Sequence, residues 1–155
     1  VVGAKVTASD NDANNDFDVT YTVNGTITNN TKTQLTWTLY EVTSEVTEGT
    51  TGCTLEQTQV GDELRYSYNS ACAVNSTITA GTKVTSGTVE ALTTDTITAD
   101  VTAASEELTS SNSGATTYYY LVVDYPNNDS AQDEDQGKAI TASLDDLTDV
   151  EATVA

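Results

Sequence analysis

Apolar and polar residues alternate along much of this chain. Residues 17–24 place an aromatic residue or a valine at every second position, namely Phe17, Val19, Tyr21 and Val23. A period of two is typical of a β-strand with one buried face. Alternation or a high density of β-branched and aromatic residues predicts further strands at residues 1–8, 35–39, 54–60, 63–69, 74–80, 83–92, 94–102, 118–123, 138–144 and 149–155.

Turn-forming residues separate these segments. Asn24-Gly25 predicts a turn or a bulge, residues 29–32 predict a turn, and Gly61-Asp62 predicts a hairpin between its two flanking strands. No window has a convincing 3.6-residue apolar period, and residues 103–108 are the one place where we expect a short helix.

Residues 118–144 contain the strongest local pattern. Residues 118–123 are aromatic, β-branched or Leu throughout, which predicts a strand buried on both faces. Pro126 ends that strand because proline has no N–H for a ladder. Residues 127–135 are polar or small and are expected to lie in water. The strand at 138–144 then places Ile140, Ala142 and Leu144 on one face.

This series of short strands with turns at regular spacing predicts an all-β protein. The expected architecture is a two-sheet β-sandwich of jelly-roll or Ig-like type with an N-terminal donor strand. The 31 threonines among 155 residues support this class, because β-branched side chains favour sheets over helices. We expect residues 17–155 to form a single sandwich domain, since a chain of this length can bury one core.

Residues 1–16 are predicted to be a separate unit, with a strand at 1–8 and a polar linker at 9–16. The strand carries small apolar side chains on one face, whereas Gly3 and Lys5 face outward. The linker could extend roughly 26 Å, so the strand could add to a neighbouring subunit's sheet by β-augmentation. Pairing within its own chain is the alternative. The candidate donor strand comprises Val1, Val2, Gly3, Ala4, Lys5, Val6, Thr7 and Ala8.

The charge and the residue types restrict the function. A net charge of −19 argues against binding nucleic acids or anionic membranes, both of which need basic patches. The chain has no His, so Ser-His and Cys-His nucleophile pairs and His-based zinc sites are absent. We therefore expect a protein that is not an enzyme. No membrane-spanning run is present, and the Val-Val-Gly start suits a chain exported with a cleaved signal peptide.

Cys53 and Cys72 are the only two cysteines. Their spacing fits neither a Cys-x-x-Cys redox motif nor a metal site, and they bracket the predicted hairpin. We predict a disulfide between them, which in the chain-entropy model stabilises the fold by about 3 kcal/mol. A disulfide implies an oxidising, extracytoplasmic environment.

Two acidic segments are candidates for binding a structural Ca²⁺, and no other cofactor is expected. The first has oxygen-bearing side chains at every second position, at Asp10, Asp12, Asn14, Asp16 and Asp18. It departs from the EF-hand pattern, because Asn15 replaces the loop glycine and no closing Glu follows. The second segment contains Asp129, Asp133, Glu134 and Asp135. The competing interpretation of both is a solvated hydrophilic segment.

Four asparagines begin Asn-x-Ser/Thr sequons and are candidates for glycosylation: Asn24, Asn29, Asn75 and Asn128. With threonine this frequent, chance alone produces several such sequons.

The stretch from 118 to 144 also carries a family resemblance. Tyr119-x-Leu121-x-x-Asp124, the acidic loop and then Gln136-Gly137-Lys138 resemble the C-terminal half of the TasA/camelysin family. Members of that family are secreted jelly-roll subunits of biofilm fibres with relatives among archaeal pili, and their fibres grow by donor-strand exchange. The resemblance implies the same role here.

The expected function is thus a structural subunit of an extracellular filament, a pilus or a biofilm-matrix fibre. Its expected partners are identical neighbouring subunits, joined into a homopolymer by exchange of residues 1–8, because a donor and an acceptor on different surfaces make an open fibre. The alternative is a secreted or surface-anchored adhesin or carbohydrate-binding module with the same sandwich.

Overall fold

The computed structural model describes residues 1–8, 17–47, 54–69, 72–102, 115–128 and 130–154. Ten strands lie in these residues: β1 (Val2–Ala8), β2 (Phe17–Asn29), β3 (Leu35–Val42), β4 (Leu55–Val60), β5 (Glu63–Tyr68), β6 (Thr82–Val89), β7 (Thr94–Thr102), β8 (Ala115–Asp124), β9 (Ile140–Leu144) and β10 (Thr148–Val154). A helix, α1 (Ser76–Thr79), and a 3₁₀ turn at Asp133–Asp135 accompany them. The all-β prediction is confirmed. The helix expected at 103–108 lies outside the described residues.

The strands form two antiparallel sheets and a separate hairpin. The first sheet has the order β1-β8-β3-β6. In the second sheet β2 lies between β7 and two short strands, because β10 pairs with the first half of β2 and β9 with the second half, both on the edge opposite β7. The β4–β5 hairpin turns at Gly61, whose φ of 65° is one that glycine adopts without steric cost, as the sequence predicts.

The main core lies between the two sheets. It draws buried side chains from β2, β3, β6, β7 and β8: Tyr21, Val23, Ile27, Leu35, Leu39, Val89, Ile97, Ala99, Val101, Tyr119 and Leu121. A second, smaller cluster covers the outer face of the first sheet and contains Val42, Ile78, Tyr120 and Val122. Strand β8 therefore contributes to both clusters, and the prediction that it is buried on both faces is confirmed.

The Asn24-Gly25 pair lies inside β2 and does not turn the chain. A Cβ at Gly25 would lie 2.9 Å from the carbonyl oxygen of Ser143, so glycine permits the close approach of β9. The Asn24 side-chain Nδ2 donates to the hydroxyl of Thr148 at 3.0 Å, at the start of β10. The pair thus lies where the edge of β2 passes from one short partner strand to the other.

The predicted strand at 74–80 is wrong, because this segment contains α1. Asn75 caps the helix, and its Oδ1 accepts from the backbone N–H of Thr77 at 2.9 Å. Ile78 is fully buried in the smaller cluster. A cap and a single buried contact determine the local structure here, whereas the β-branched composition alone favours a strand.

The expectation that residues 127–135 lie in water is wrong at one position. Gln132 is only 5% exposed, and its Nε2 donates to the hydroxyl of Thr33 and to the carbonyl of Pro126, each at 3.1 Å. The polar segment therefore folds back onto the turn between β2 and β3. The polar composition of the segment predicts contact with water, but the Gln132 side chain makes hydrogen bonds within the protein instead.

Candidate functional site

Strand β1 occupies the outer edge of β8 in its own chain. The two strands pair antiparallel from Val2 opposite Leu121 to Ala8 opposite Ala115. Val2, Ala4, Val6 and Ala8 are half-buried and alternate with exposed residues, so the predicted apolar face is confirmed. Val6 packs against the main core. Within the described residues β1 pairs with no other strand, and residues 9–16 separate it from β2.

Gly3 fits β1 against a fixed tyrosine on the outer face of the sheet. It lies opposite Tyr120, and a Cβ at Gly3 would come 2.6 Å from that ring. The Tyr120 hydroxyl accepts from the backbone N–H of Val46 at 2.7 Å and lies 3.0 Å from the Val46 carbonyl, to which it donates. Moving the ring away would break both bonds. The edge of β8 that β1 occupies, called the groove from here on, therefore favours glycine at the third position of β1.

The inner face of the groove contains a buried tyrosine pair. Ala4 lies opposite Tyr119, whose hydroxyl is 2.5 Å from the hydroxyl of Tyr21 in the second sheet. The two rings meet edge to face with centroids 6.1 Å apart. Burial is the main cause that raises the pKa of both phenols, so both remain neutral at physiological pH. The pair therefore connects the two sheets next to β1.

The groove continues past the first residue of β1. Residues 122–124 of β8 extend beyond the last β1 pair, and a cavity of about 680 Å³ lies there. Its lining includes Val1 and Val2, Val123 of β8 and Ile140 of β9. Strand β1 therefore begins beside a cavity of mixed polar and apolar lining to which β8, β9 and the β4–β5 hairpin all contribute.

Cys53, one of the two cysteines of the predicted disulfide, lies outside the described residues. Its neighbour Thr54 accepts a backbone hydrogen bond from Asn69 at 3.0 Å, at the open end of the β4–β5 hairpin. The Sγ of Cys72 lies 4.0 Å from the Thr54 carbonyl oxygen. The fold thus brings Cys72 next to the residue that follows Cys53.

The first Ca²⁺ candidate is described at only one of its residues. Asp18 lies on β2, is exposed and pairs with Thr153 of β10, whereas Asp10, Asp12, Asn14 and Asp16 lie outside the described residues. Among the described residues, no three Asp, Glu, Cys or His side chains form a group that could hold a metal ion.

The second acidic segment is attached to the β2–β3 turn. Glu134 forms an ion pair with Lys32 at 2.8 Å, between exposed side chains. Asp135 accepts from the backbone N–H of Lys32, from the Thr33 hydroxyl and from the Tyr125 hydroxyl, the last at 2.8 Å. Partial burial opposes ionisation, but these hydrogen bonds and the Lys32 charge lower the pKa of Asp135. Asp133 is exposed, and Asp129 lies outside the described residues.

The four sequon asparagines lie in different environments. Asn29 is fully buried, and its Nδ2 donates to the carbonyls of Thr33 at 2.8 Å and Glu90 at 3.1 Å, so the folded structure leaves no space for a glycan there. Asn24 is half-buried at the β9–β10 junction, and Asn75 caps α1. Asn128 is exposed. It is the sequon with the best access among the four.

Sequence reasoning missed the Gly3–Tyr120 fit, the Tyr21–Tyr119 pair and the buried Gln132. A run of three tyrosines at 118–120 was visible, but which tyrosine meets which residue depends on strand register.

No described helix has both the length and the apolar character that a membrane crossing requires. Comparison with protein-family models, curated proteins and solved structures finds no significant match to this chain.

Proposed function

We propose that this protein is a structural subunit of an extracellular filament in which β1 of each subunit inserts beside β8 of the next. One observation carries the proposal. Strand β1 is an edge strand that fits a shaped groove, and only residues 9–16 connect it to the sandwich. Such an element can leave its own groove and enter that of a neighbour without a change in the fold of either sandwich.

Exchange preserves the contacts that β1 makes within one chain. The ladder to β8, the close fit of Gly3 on Tyr120 and the packing of Val6 on the core are the same whichever chain supplies β1. The free energy of exchange then depends on the linker and on subunit concentration. Because the groove and the leaving strand are different surfaces, the contact is heterologous and continues into an open fibre.

The net charge of the subunit should make assembly depend on the salt concentration. Each subunit carries a net charge of −19, so neighbouring subunits repel one another. Dissolved salt screens this repulsion over about 8–10 Å at physiological ionic strength. Fibre formation should therefore accelerate as the salt concentration rises.

The test is deletion of residues 1–8 followed by addition of the strand as a peptide. The truncated chain should remain folded and soluble but form no fibres in negative-stain electron micrographs, whereas the full chain forms long, regular fibres. A peptide of residues 1–8 should bind the truncated chain and raise its melting temperature. A matched peptide with Gly3→Val should bind at least about tenfold more weakly, because its side chain collides with Tyr120.

Normal fibres from the truncated chain would end this proposal. Equal binding of the two peptides would show that the groove does not select β1 by its third residue, and exchange would then lack its structural basis.

We further propose that Cys53 and Cys72 form a disulfide and that the protein functions outside the cell. The approach of Cys72 to Thr54 supports the pairing, and oxidising compartments are where such bonds persist. Peptide mass spectrometry of protein isolated without reductant should find the two cysteines joined. Two free thiols would contradict it.

A second candidate function is a monomeric surface module, such as an adhesin or a carbohydrate-binding domain. The observation that favours it is the pairing of β1 with its own β8, which closes the sandwich within one chain. Analytical ultracentrifugation separates the candidates. A module sediments as one compact species at every concentration, whereas a filament subunit forms polymers as concentration rises.

A further inference from the structure

The apolar side of β10 is exposed to solvent. The strand alternates between polar residues and Val150, Ala152 and Val154. Ala152 lies opposite Val19 and Val154 opposite Phe17, so the apolar side of β10 continues the core-facing side of β2. Val19 packs against the main core, whereas Val150 and Val154 are more than half exposed. The part of the chain that the structure describes therefore leaves this side of β10 uncovered.

These exposed side chains form one strip. Val150 and Val154 lie on the same side of one strand, about 13 Å apart, with Ala152 between them and the half-buried Phe17 beside Val154. We call Phe17, Val150, Ala152 and Val154 the β10 face. Apolar residues scattered singly over a surface need no explanation, but a contiguous exposed strip of this kind is typical of a protein–protein interface.

Two contacts between the sheets give the position of this face. The Tyr21 hydroxyl of β2 lies 2.5 Å from the Tyr119 hydroxyl of β8. Four residues further along β2, a Cβ at Gly25 would lie 3.7 Å from the Leu121 side chain. The two strands therefore run in roughly the same direction, and the beginning of β2 lies over the beginning of β8.

Strand β1 leaves the groove at the same end of the sandwich. Its last residue, Ala8, lies opposite Ala115, the first residue of β8. Strand β2 begins at Phe17, and β10 ends opposite it at Val154. The β10 face and the end of β1 thus lie at one end of the sandwich, nine residues apart along the chain from Ala8 to Phe17.

Exchange of β1 keeps two subunits close together at this end. Ala8 in the groove of one subunit and Phe17 of the subunit that supplies it are separated by nine residue steps, which span at most roughly 32 Å. Strand β7, with nine residues, is itself about 30 Å long. The β10 face of the donor subunit therefore lies within about one strand length of the acceptor's groove. A tether this short gives an effective concentration in the millimolar range, so a contact of modest strength between the two subunits forms.

We propose that the β10 face packs against the neighbouring subunit whose groove holds β1, which is a second copy of this chain. The proposal rests on the function proposed above and adds a contact between the two sandwiches to the exchanged strand. Burial removes the valines from water, and the loss of exposed apolar surface stabilises such a contact. The exchanged strand then sets which subunits meet, and the β10 face sets how the two sandwiches are oriented.

The surface around the end of the groove is suited to an apolar partner. Thr7 and Ala8 of β1 and Thr116 and Thr117 of β8 carry no charge, and the Thr7 and Thr116 hydroxyls lie 3.4 Å apart. On β10 itself, Glu151 belongs to the polar side of the strand. Contact between the β10 face and these four positions therefore buries no charged group, in a chain whose net charge is −19.

The test compares fibre formation by the full chain and by the double variant Val150→Thr/Val154→Thr. Threonine matches valine in shape and favours strands, so the dilute, monomeric variant should keep the melting temperature of the parent within about 2 °C. Its critical concentration for fibre formation, measured by sedimentation, should rise about tenfold or more, because the new hydroxyls resist burial. Val60→Thr, the same change at an exposed valine at the end of β4, should alter the critical concentration less than about twofold.

Hydroxyl-radical footprinting of the parent chain is a second measurement, which does not depend on how the variants fold. Val150 and Val154 should be oxidised at least about threefold more slowly in fibres than in the monomer, because a neighbour covers them. Leu92 is the internal control. It is also more than half exposed, and its N–H donates to Thr31 beyond the other end of β2, so its oxidation rate should be almost the same in both states.

The outcomes separate this inference from the filament itself. If the parent chain forms no fibres, the proposed function is wrong and this inference falls with it. If the parent forms fibres and the double variant has the same critical concentration, or if Val150 and Val154 are oxidised equally in fibres and monomer, β1 exchange stands and the β10 face is overturned as an interface. A melting temperature lowered by more than about 5 °C in the dilute variant would show that a segment of the same chain covers the face, which would also overturn the inference.

Discussion

Strands β1 and β10 share a Val-x-Ala-x-Val pattern but lie in different environments. Both are edge strands that place valines and an alanine at alternate positions, Val2, Ala4 and Val6 in one and Val150, Ala152 and Val154 in the other. In β1 the apolar face is half-buried. In β10 every residue is exposed, and Val150 and Val154 are 61% and 63% exposed.

The difference comes from the neighbours of each strand. Strand β1 runs along β8, whose Tyr119 and Leu121 belong to the main core, and Val6 reaches that core. Strand β10 pairs with the first part of β2, and its register is interrupted between Thr148 and Glu151, where Asp149 has a φ of 51°. Alternation thus establishes that a segment can be a strand with one apolar face, but what covers that face depends on the rest of the fold.

The largest expected effect comes from placing a valine in each strand, because only β1 packs closely against a neighbour at the substituted position. Gly3→Val places a side chain against the Tyr120 ring and should lower the free energy of unfolding by about 2–3 kcal/mol. Glu151→Val places the same side chain on the exposed strand β10 and should change the free energy of unfolding by less than about 0.5 kcal/mol. Denaturant titration followed by the fluorescence of Trp37, the only tryptophan, measures both. Equal effects would show that β1 is held no more tightly than β10.

A smaller effect compares the same truncation on each strand. Val6→Ala removes methyl groups that pack against the core and should cost about 1 kcal/mol. Val154→Ala removes them from a side chain that is 63% exposed and should cost less than about 0.5 kcal/mol. Thermal melts of the two variants beside the parent chain provide the measurement. A larger loss for Val154→Ala would reverse the comparison.

The smallest effect concerns the segment that leads into β9, near the open end of the β1 groove. The pKa of Asp135 is lowered in the folded state, so its contribution to stability is present above the unfolded pKa, about 3.9, and is lost as the pH falls through the folded value. Asp135→Asn should therefore lower stability by about 0.5–1 kcal/mol at pH 7, and the difference from the parent should shrink below pH 4.

The matched control for this pH dependence is Asp133→Asn, because Asp133 is exposed in the same turn. It should leave both the stability and its pH dependence almost unchanged. A difference for Asp135→Asn that stays constant from pH 7 to pH 3 would mean that ionisation of Asp135 does not support the contact with the β2–β3 turn.

The sequence by itself determined the strands, the hairpin at Gly61-Asp62 and the apolar face of β1. These features depend on local rules, namely the alternation of side chains along a strand, β-branched preferences and the left-handed conformation that glycine permits. The same local rules misjudged residues 74–80, where an asparagine cap and the burial of Ile78 favour a helix.

Only the tertiary structure decided which residues meet. Gly3 opposes Tyr120, Tyr119 reaches Tyr21, and Gln132 folds onto Thr33, through contacts between segments far apart in the chain. Strand register and sheet order set these contacts, and a shift of one residue would place each side chain on the opposite face. Pairing energies accumulate over whole strands and sheets, so no local stretch of sequence contains the information that selects them.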